Sequence, residues 1–370
     1  MKKIAIIGGG IIGLTLANYL DTTKFDVTLF DEGIGQATGA SAGIISPWLS
    51  KRRNKKWYQL AKDGAAFFPK LVQDLSLDAS VYSKCGTILF REQNSLLALA
   101  ELAEERKKEA PEIGDIRLLT ADETASYLPL LKPAPSLYVS GGGRLNGRSY
   151  LAHATKQALA KGVKIIHEKA QVATNNEQWQ IQSASHQITV DAVALTSGPF
   201  VKPLLEHLNY TVDIRPQKGQ LLAFDTTYQT SQEWPVAMLD GEADLIPFMN
   251  GQILIGATHE NDGGWDLTPT QAAFDQLVEG TRDFLANPEA LISQPASFFV
   301  GTRAYTSDFA PFFGPLEQTN LVVASGLGSS GLTTGPYIGY LLANYFNEGT
   351  WQADCYQKPI ETYIQKNAEN

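Results

Sequence analysis

The alternation of apolar and polar positions divides the chain into recognisable elements from its first residues. Ile4-Ala5-Ile6-Ile7 is a short apolar run rich in β-branched residues. Gly8-Gly9-Gly10-Ile11-Ile12-Gly13 follows, then an apolar stretch to Leu20 and a second run, Val27-Thr28-Leu29-Phe30, ending at Asp31. The pattern predicts a buried strand, a glycine turn, a helix and a second strand. Helical spacing of apolar residues predicts helices over 57–75, 95–110, 120–127, 148–161 and 270–285. Thr120 stands at the N-cap of the third, with Glu123 at the capping-box position. Strands are predicted over 82–90, 163–167, 178–182, 187–190, 192–199 and 320–325. A long apolar helix should end near Phe346. Between 215 and 257 the period changes to alternating strands, 215–225, 234–239, 244–249 and 252–257. The last two are joined by Asn250-Gly251, a strong hairpin signal.

Segments with parallel-sheet character therefore recur at the start, middle and end, with two inserted blocks that build something different. The expected division assigns 1–49, 141–213 and 301–370 to one domain, and 50–140 with 214–300 to a second. No internal repeat or low-complexity segment interrupts this order, and 51–56 reads as a solvated basic loop.

Composition narrows the function classes. The chain has 370 residues, enough for two domains with real cores, and a formal net charge of −9, which gives no electrostatic case for a nucleic-acid partner. Two cysteines, Cys85 and Cys355, make neither a disulfide framework nor a metal cluster, and five scattered histidines lack ligand spacing, so no metal is expected. No apolar run reaches membrane-spanning length, and a cytoplasmic, reducing location fits this usage.

The N-terminal glycines carry the first chemistry. Gly8 allows a tight turn, Gly10 lets a pyrophosphate approach the backbone, and Gly13 lets helix and strand pack closely. The helix N-terminus offers N–H groups and a positive dipole end to the phosphates. Asp31 is placed to accept hydrogen bonds from a ribose hydroxyl. A small-residue loop, 33–43, suits close approach to a bulky ligand. Together these point to dinucleotide binding.

A series of motifs then matches one family in order. They are Gly8-x-Gly10-x-x-Gly13 with Asp31; Gly39-Ala40-Ser41-Ala42-Gly43-Ile44; Leu195-Thr196-Ser197-Gly198; Pro216-Gln217-Lys218-Gly219-Gln220-Leu221; Ile255-Gly256-Ala257-Thr258; Gly301-Thr302-Arg303 through Phe313-Gly314-Pro315; and Ala324-Ser325-Gly326 through Thr333-Thr334-Gly335-Pro336. Over nearly its whole length the chain resembles the D-amino-acid oxidase family of FAD enzymes, most closely its glycine oxidase and sarcosine oxidase branch. The resemblance implies an α/β fold, with a Rossmann-like FAD-binding domain of glutathione-reductase type and a second α+β substrate domain on an antiparallel sheet. It implies oxidative deamination of an amino acid or N-substituted glycine, by hydride transfer from the amine α-carbon to flavin N5. The resulting imine would be hydrolysed to an oxo acid, and oxygen or another acceptor would take the electrons. Such catalysis asks for a deprotonated amine and an oriented Cα–H more than for acid–base groups.

The same resemblance implies site residues. FAD would meet Gly8, Gly10, Ile11, Ile12, Gly13, Asp31 and Glu32 near the first turn. Ala40, Ser41, Ala42, Gly43, Ile44, Val172, Thr196, Ser197, Gly198 and Gly219 would follow. Gly326, Gly328, Ser329, Ser330, Gly331, Leu332 and Thr333 would surround the start of the last helix, whose N-terminus would stabilise negative charge on the flavin. Arg303 stands where the family places the arginine that binds the substrate carboxylate, and also counts among the cofactor contacts. A guanidinium fork matches a carboxylate bidentately; the alternative is a surface ion pair. No cysteine occupies 302–306, where sarcosine oxidases tether the flavin, so FAD should be non-covalent.

The chain departs from the family pattern at three places. Ser329 replaces a second arginine of glycine oxidases. Asp244 stands where they carry a tyrosine, and an aspartate facing the pocket would favour a substrate with an extra cationic or donor group; the alternative is an exposed strand end. Leu254 takes the place of a lysine that assists reaction with oxygen in sarcosine oxidases. Asp244 and Tyr305 join Arg303 as candidate catalytic residues, and His259 is a further pocket candidate; Tyr305 and His259 could equally be packed structural side chains. An NAD-dependent dehydrogenase, a non-catalytic flavin or nucleotide-binding regulator, and an oxidase acting on a carboxymethylaminomethyl group are the competing readings. The oligomeric state, homo-oligomer included, is open.

Overall fold

The computed structural model describes residues 1–35, 37–50, 54–175, 178–241, 243–317 and 319–368. The first apolar runs form strands Lys2–Ile7 and Phe25–Phe30, paired in parallel, with helix Ile11–Tyr19 crossing between them. Strand Ala192–Leu195 pairs in parallel on the other side of the first strand, and Leu321–Ser325 in parallel beyond it. The six-stranded sheet is completed by Lys164–Ile166 at one edge and by antiparallel Phe312–Pro315 at the other. Burial on both faces explains the unbroken apolar runs. Helices Ile11–Tyr19, Gly147–Ala160 and Gly331–Glu348 cover one face with Leu14, Leu16, Ala154, Ile338 and Leu342. The other face packs Ile7, Leu195 and Val323 against Val172, Trp179 and Ile181 of a three-stranded meander. Its first strand, Gln171–Asn175, has only Val172 and Ala173 as apolar residues and does not stand out in the sequence.

The two inserted blocks meet in one eight-stranded sheet. Its order is Ala296–Tyr305, Arg215–Asp225, Gln252–Gly256, Asp244–Pro247, Val236–Met238, Thr87–Leu89, Ser136–Val139 and Ile116–Leu119. All neighbouring pairs are antiparallel except Val236–Met238 with Thr87–Leu89. Asn250 (φ 59°) and Gly251 (φ 79°) turn the hairpin, the pair of positive φ values that an Asn-Gly turn supplies. Helices Gln271–Arg282 and Pro288–Ile292 cover the face carrying Leu222, Phe224, Ile253 and Ile255. The opposite face, carrying Leu221, Ala223, Ile246 and Leu254, turns toward the first sheet.

Two element expectations are corrected, and two features bear on the expected division. Residues 82–90 are not one strand: Tyr82–Ser83 and Thr87–Leu89 join different sheets, because the chain turns at Gly86 (φ 81°). Lys55 and Lys56 open helix Lys55–Leu75 rather than a loop, with Asn54 accepting from the Trp57 N–H; residues 51–53 lie outside the described residues. The strand Ala296–Tyr305 runs unbroken through 300/301, where a domain border was expected. Its ten-residue ladder with Arg215–Asp225 holds it in the second sheet. Helix Lys55–Leu75 also buries Leu60, Phe67 and Phe68 in the core of the first sheet, although its segment was assigned to the second domain.

Candidate active site

A cavity of about 540 Å³ runs between the two sheets, above the C-terminal ends of the parallel strands. That is the crevice in which open α/β sheets bind ligands. One end is built by the first glycine turn. Gly8 has φ +109°, and a Cβ there would strike the Ser197 backbone at 2.5 Å. Gly13 lies under the turn, where a side chain would collide with the Gly8 carbonyl and Thr196 Oγ1. Gly10 opens onto the cavity: a Cβ there would meet only Thr38 Oγ1, at 3.6 Å. No side chain of its cap residue closes the helix that follows, and the Ile11 N–H donates to Thr38 Oγ1 at 3.1 Å.

Asp31 lines the cavity with its carboxylate already oriented. Oδ2 accepts from the Gly9 N–H and Oδ1 from the Gly33 N–H at 2.6 Å. Glu32 beside it is exposed and also faces the cavity. Ala40, Ser41, Ala42, Gly43, Ile44, Val172, Thr196, Ser197, Gly198 and Gly219 all line the same space, as do Ile11 and Ile12. At its other end stands the loop before the last helix, with Gly326, Gly328, Ser329, Gly331 and Leu332 on the wall. That helix too has no side-chain cap. Two helix N-termini whose own cap residues supply no side-chain bond, one with its first N–H held by Thr38, and an open glycine thus face one elongated cavity, with carboxylates at one end. This donor set fits a dinucleotide with a central pyrophosphate.

Arg303 enters from the second sheet. On its strand Arg303 is opposite Gln217, and Gly301 opposite Gly219. The guanidinium folds over Gly219. Its Nη1 donates to the Thr258 carbonyl at 2.9 Å and to Gln217 Oε1 at 3.3 Å. Gln217 is itself fixed by a 2.7 Å bond to Asn261 Oδ1. Among the described residues no carboxylate lies within ion-pair distance of Arg303, so the surface-pair alternative does not apply. Burial lowers its pKa from the usual arginine value, opposed by the negative potentials of Tyr305 and Glu260. An arginine stays cationic through such a shift, leaving a shielded positive charge on the cavity wall.

Asp244 lines the same cavity and is not an exposed strand end. Desolvation pushes its pKa up to about 7, against the Leu239 N–H bond and the charge of Arg91, which act downward. The Leu239 N–H donates to Oδ1 at 3.1 Å.

Four expected residues stand off the wall. Tyr305 is 3 % exposed; its ring backs Gly328 and its hydroxyl shares a 2.6 Å hydrogen bond with Ser329 Oγ. It shapes the loop from behind instead of facing the cavity. Ser330 is turned to the Leu327 carbonyl and the Trp57 indole N–H. Thr333 donates to the Ile44 carbonyl, and Gly13 is packed beneath the turn. His259 does line the cavity. Thr38, within the loop 33–43 expected to approach a ligand, is on the wall at the dinucleotide end, and the sequence reading missed Lys169, Phe200, Leu204 and His207 there. Phe200 and Leu204 sit just past Ser197-Gly198 at helical spacing, a usable signal; Lys169 and His207 had none. Leu254, in the expected lysine position, is core. The buried Lys218 donates to Asp266 Oδ2 and the Thr268 carbonyl.

Comparison with known proteins agrees with this geometry. The model of the FAD dependent oxidoreductase family (DAO) matches residues 3–345. A protein described as an uncharacterized oxidoreductase, YurR of Bacillus subtilis, is 36% identical over 352 residues, covering 93% of this chain and 94% of its own. Glycine oxidase of Pseudomonas putida is 26% identical, covering 90% and 92%. The crystal structure of iminodiacetate oxidase from Chelativorans sp. BNC1 superposes with a TM-score of 0.88 at 27% identity, covering 97% of this chain and 98% of that one. The two-sheet α/β fold around a dinucleotide crevice, together with the family match over residues 3–345, places the chain among the FAD-dependent oxidoreductases. The chain belongs to the DAO family of FAD-dependent oxidoreductases, and FAD is its cofactor. No helix among the described residues is long and apolar enough to cross a membrane.

Proposed function

We propose that this enzyme oxidises an amino acid or N-substituted glycine at the carbon bearing the amine, giving an imine that water hydrolyses to an oxo acid. When bound, FAD supplies a two-electron acceptor for the hydride that leaves this carbon. The observation that carries the reading is Arg303: a shielded guanidinium on the cavity wall, fixed by two neutral oxygens and without a carboxylate partner among the described residues. A desolvated cation of this kind binds an anionic group strongly, and its planar fork orients a carboxylate. A carboxylate seated there fixes the adjacent carbon, so that its C–H is presented in one direction. The names of two relatives, glycine oxidase and iminodiacetate oxidase, denote substrates with a carboxylate one carbon from the amine nitrogen.

Around the cofactor, Gly10, Ile11 and Ile12 would bind the pyrophosphate, Asp31 and Glu32 the ribose, and the loop 326–332 the flavin ring. FAD would be held without a covalent bond, since neither Cys85 nor Cys355 lines the cavity. The test is an anaerobic screen of amino acids and N-alkyl glycines that follows flavin absorbance. Bleaching by a carboxylate-bearing amine, and not by the same amine with a carboxamide, supports the reading. Bleaching by neither sinks it.

A further inference from the structure

We propose that Asp244 is a second recognition point, which holds an N–H-bearing or cationic group on a short arm of the substrate, beyond the amine that is oxidised. This rests on the reading of Arg303 as the carboxylate clamp.

Sheet register places the two groups on one face. Asp244 is opposite Gly256, Gly256 opposite Leu221, and Leu221 opposite Phe299. Directly opposed residues in antiparallel strands point to the same side. Two residues along, on the same side, Gly219 is opposite Gly301 and carries the Arg303 guanidinium above it. Asp244 thus stands two strands across and two residues along from the guanidinium seat, roughly 12 Å in an ideal sheet. The surface between them is small: Gly219, Gly256 and Ala257 all line the cavity there. Backbone and a methyl group form this floor; the one larger side chain between them on this face, Leu221, is fully buried against Gly256 and does not reach the cavity wall.

A hydrogen bond from the guanidinium to a carboxylate oxygen, and another from a donor to Asp244, each span about 2.7–3.2 Å. Between those contacts a bare glycine supplies roughly 2.5 Å from carboxylate carbon to nitrogen, by standard bond lengths. The remaining gap needs a few more atoms, so the donor belongs to an N-substituent or side chain. The chemistry at Asp244 asks for such a donor. Oδ1 is taken by the Leu239 N–H. Among the described residues Oδ2 has no ion-pair or hydrogen-bond partner. The nearby cation, Arg91, spends its Nη1 on the carbonyls of Met238 and Leu239 and its Nε on Asp240. A shielded carboxylate with a free oxygen favours a positive or N–H partner and penalises an apolar one. The substrate class is therefore an amino acid or N-substituted glycine with a terminal amine or amide N–H on a short arm.

The experiment uses purified holoenzyme and two isosteric probes, N-(2-aminoethyl)glycine and N-propylglycine, with kcat/KM taken from anaerobic flavin reduction. The wild type should prefer the aminoethyl probe by tenfold or more, and Asp244→Asn should bring the ratio toward one. Flavin-to-protein absorbance and melting temperature serve as folding controls. A wild type that fails to discriminate, or prefers the propyl probe, overturns the proposal without any variant. So does Asp244→Asn slowing both probes by the same factor, the result of a merely structural aspartate. If no carboxylate-bearing amine reduces the flavin, the Arg303 reading has failed as well, which discrimination between probes would not show.

Discussion

Gly219 and Arg303 compete for one volume. A Cβ built on residue 219 would lie 2.5 Å from the guanidinium carbon of Arg303, so the arginine holds its place because residue 219, two along from its ladder partner Gln217, is glycine. Gly219→Ala should therefore displace the guanidinium from its bonds to Thr258 and Gln217. Substrate use should fall about tenfold or more, because a misplaced clamp loses orientation as well as binding. FAD content should stay near wild type. The measurement is kcat/KM with the best carboxylate substrate beside the flavin-to-protein absorbance ratio; unchanged kcat/KM would show that the clamp does not need this space.

Gly10→Val should abolish FAD retention. Residue 10 opens on the cavity with only Thr38 nearby, and a branched side chain would occupy the space where a pyrophosphate meets the backbone. The fold should survive, since little protein is in the way. Purified variant with a wild-type flavin-to-protein ratio would refute this cofactor placement.

Asp244 gives a pH dependence with a definite sign. Its pKa is raised from the usual carboxylate value to about 7 because burial disfavours the charged form. A raised folded-state value means that the native protein binds the proton more tightly than the unfolded chain does. The associated stability is present at about pH 4 and below, and is lost as pH rises through about 7. Asp244→Asn removes this cost. The variant should melt above the wild type at pH 8, by a few degrees, and the gap should shrink as pH falls to 5. A gap that is constant or grows toward acid would contradict the assignment.

The sequence showed the dinucleotide end more fully than the substrate end, for physical reasons. Gly8, Gly10, Gly13 and Asp31 belong to one strand–turn–helix–strand unit, so their spacing carries the geometry. The hairpin at Asn250-Gly251 and the capping box at Thr120 and Glu123 formed as read, because each is satisfied locally. The resemblance singled out Arg303 and Asp244, but their shared cavity depends on a register across four strands. Tyr305 illustrates what spacing could not show. It follows Arg303 by two residues on the same strand, yet packs behind Gly328, since a loop far along the chain fills the space before it. The strand 296–305 was missed as a unit because Gly301-Thr302-Arg303 interrupts its apolar run, while its cohesion comes from the ladder with 215–225.

The account stands or falls on Arg303 as the carboxylate clamp. Arg303→Lys keeps the charge and loses the planar fork; Arg303→Ala loses both. A charge-assisted hydrogen bond contributes roughly 1.5–3 kcal/mol, and the clamp also directs the C–H. The decisive measurement is the rate of anaerobic flavin reduction by the best carboxylate substrate and by its carboxamide analogue, for wild type and both variants at equal FAD content. The account expects Arg303→Ala to be slower by about two orders of magnitude or more and Arg303→Lys to fall between, with the poor carboxamide rate little changed. Wild-type rates in both variants with the carboxylate substrate would contradict it.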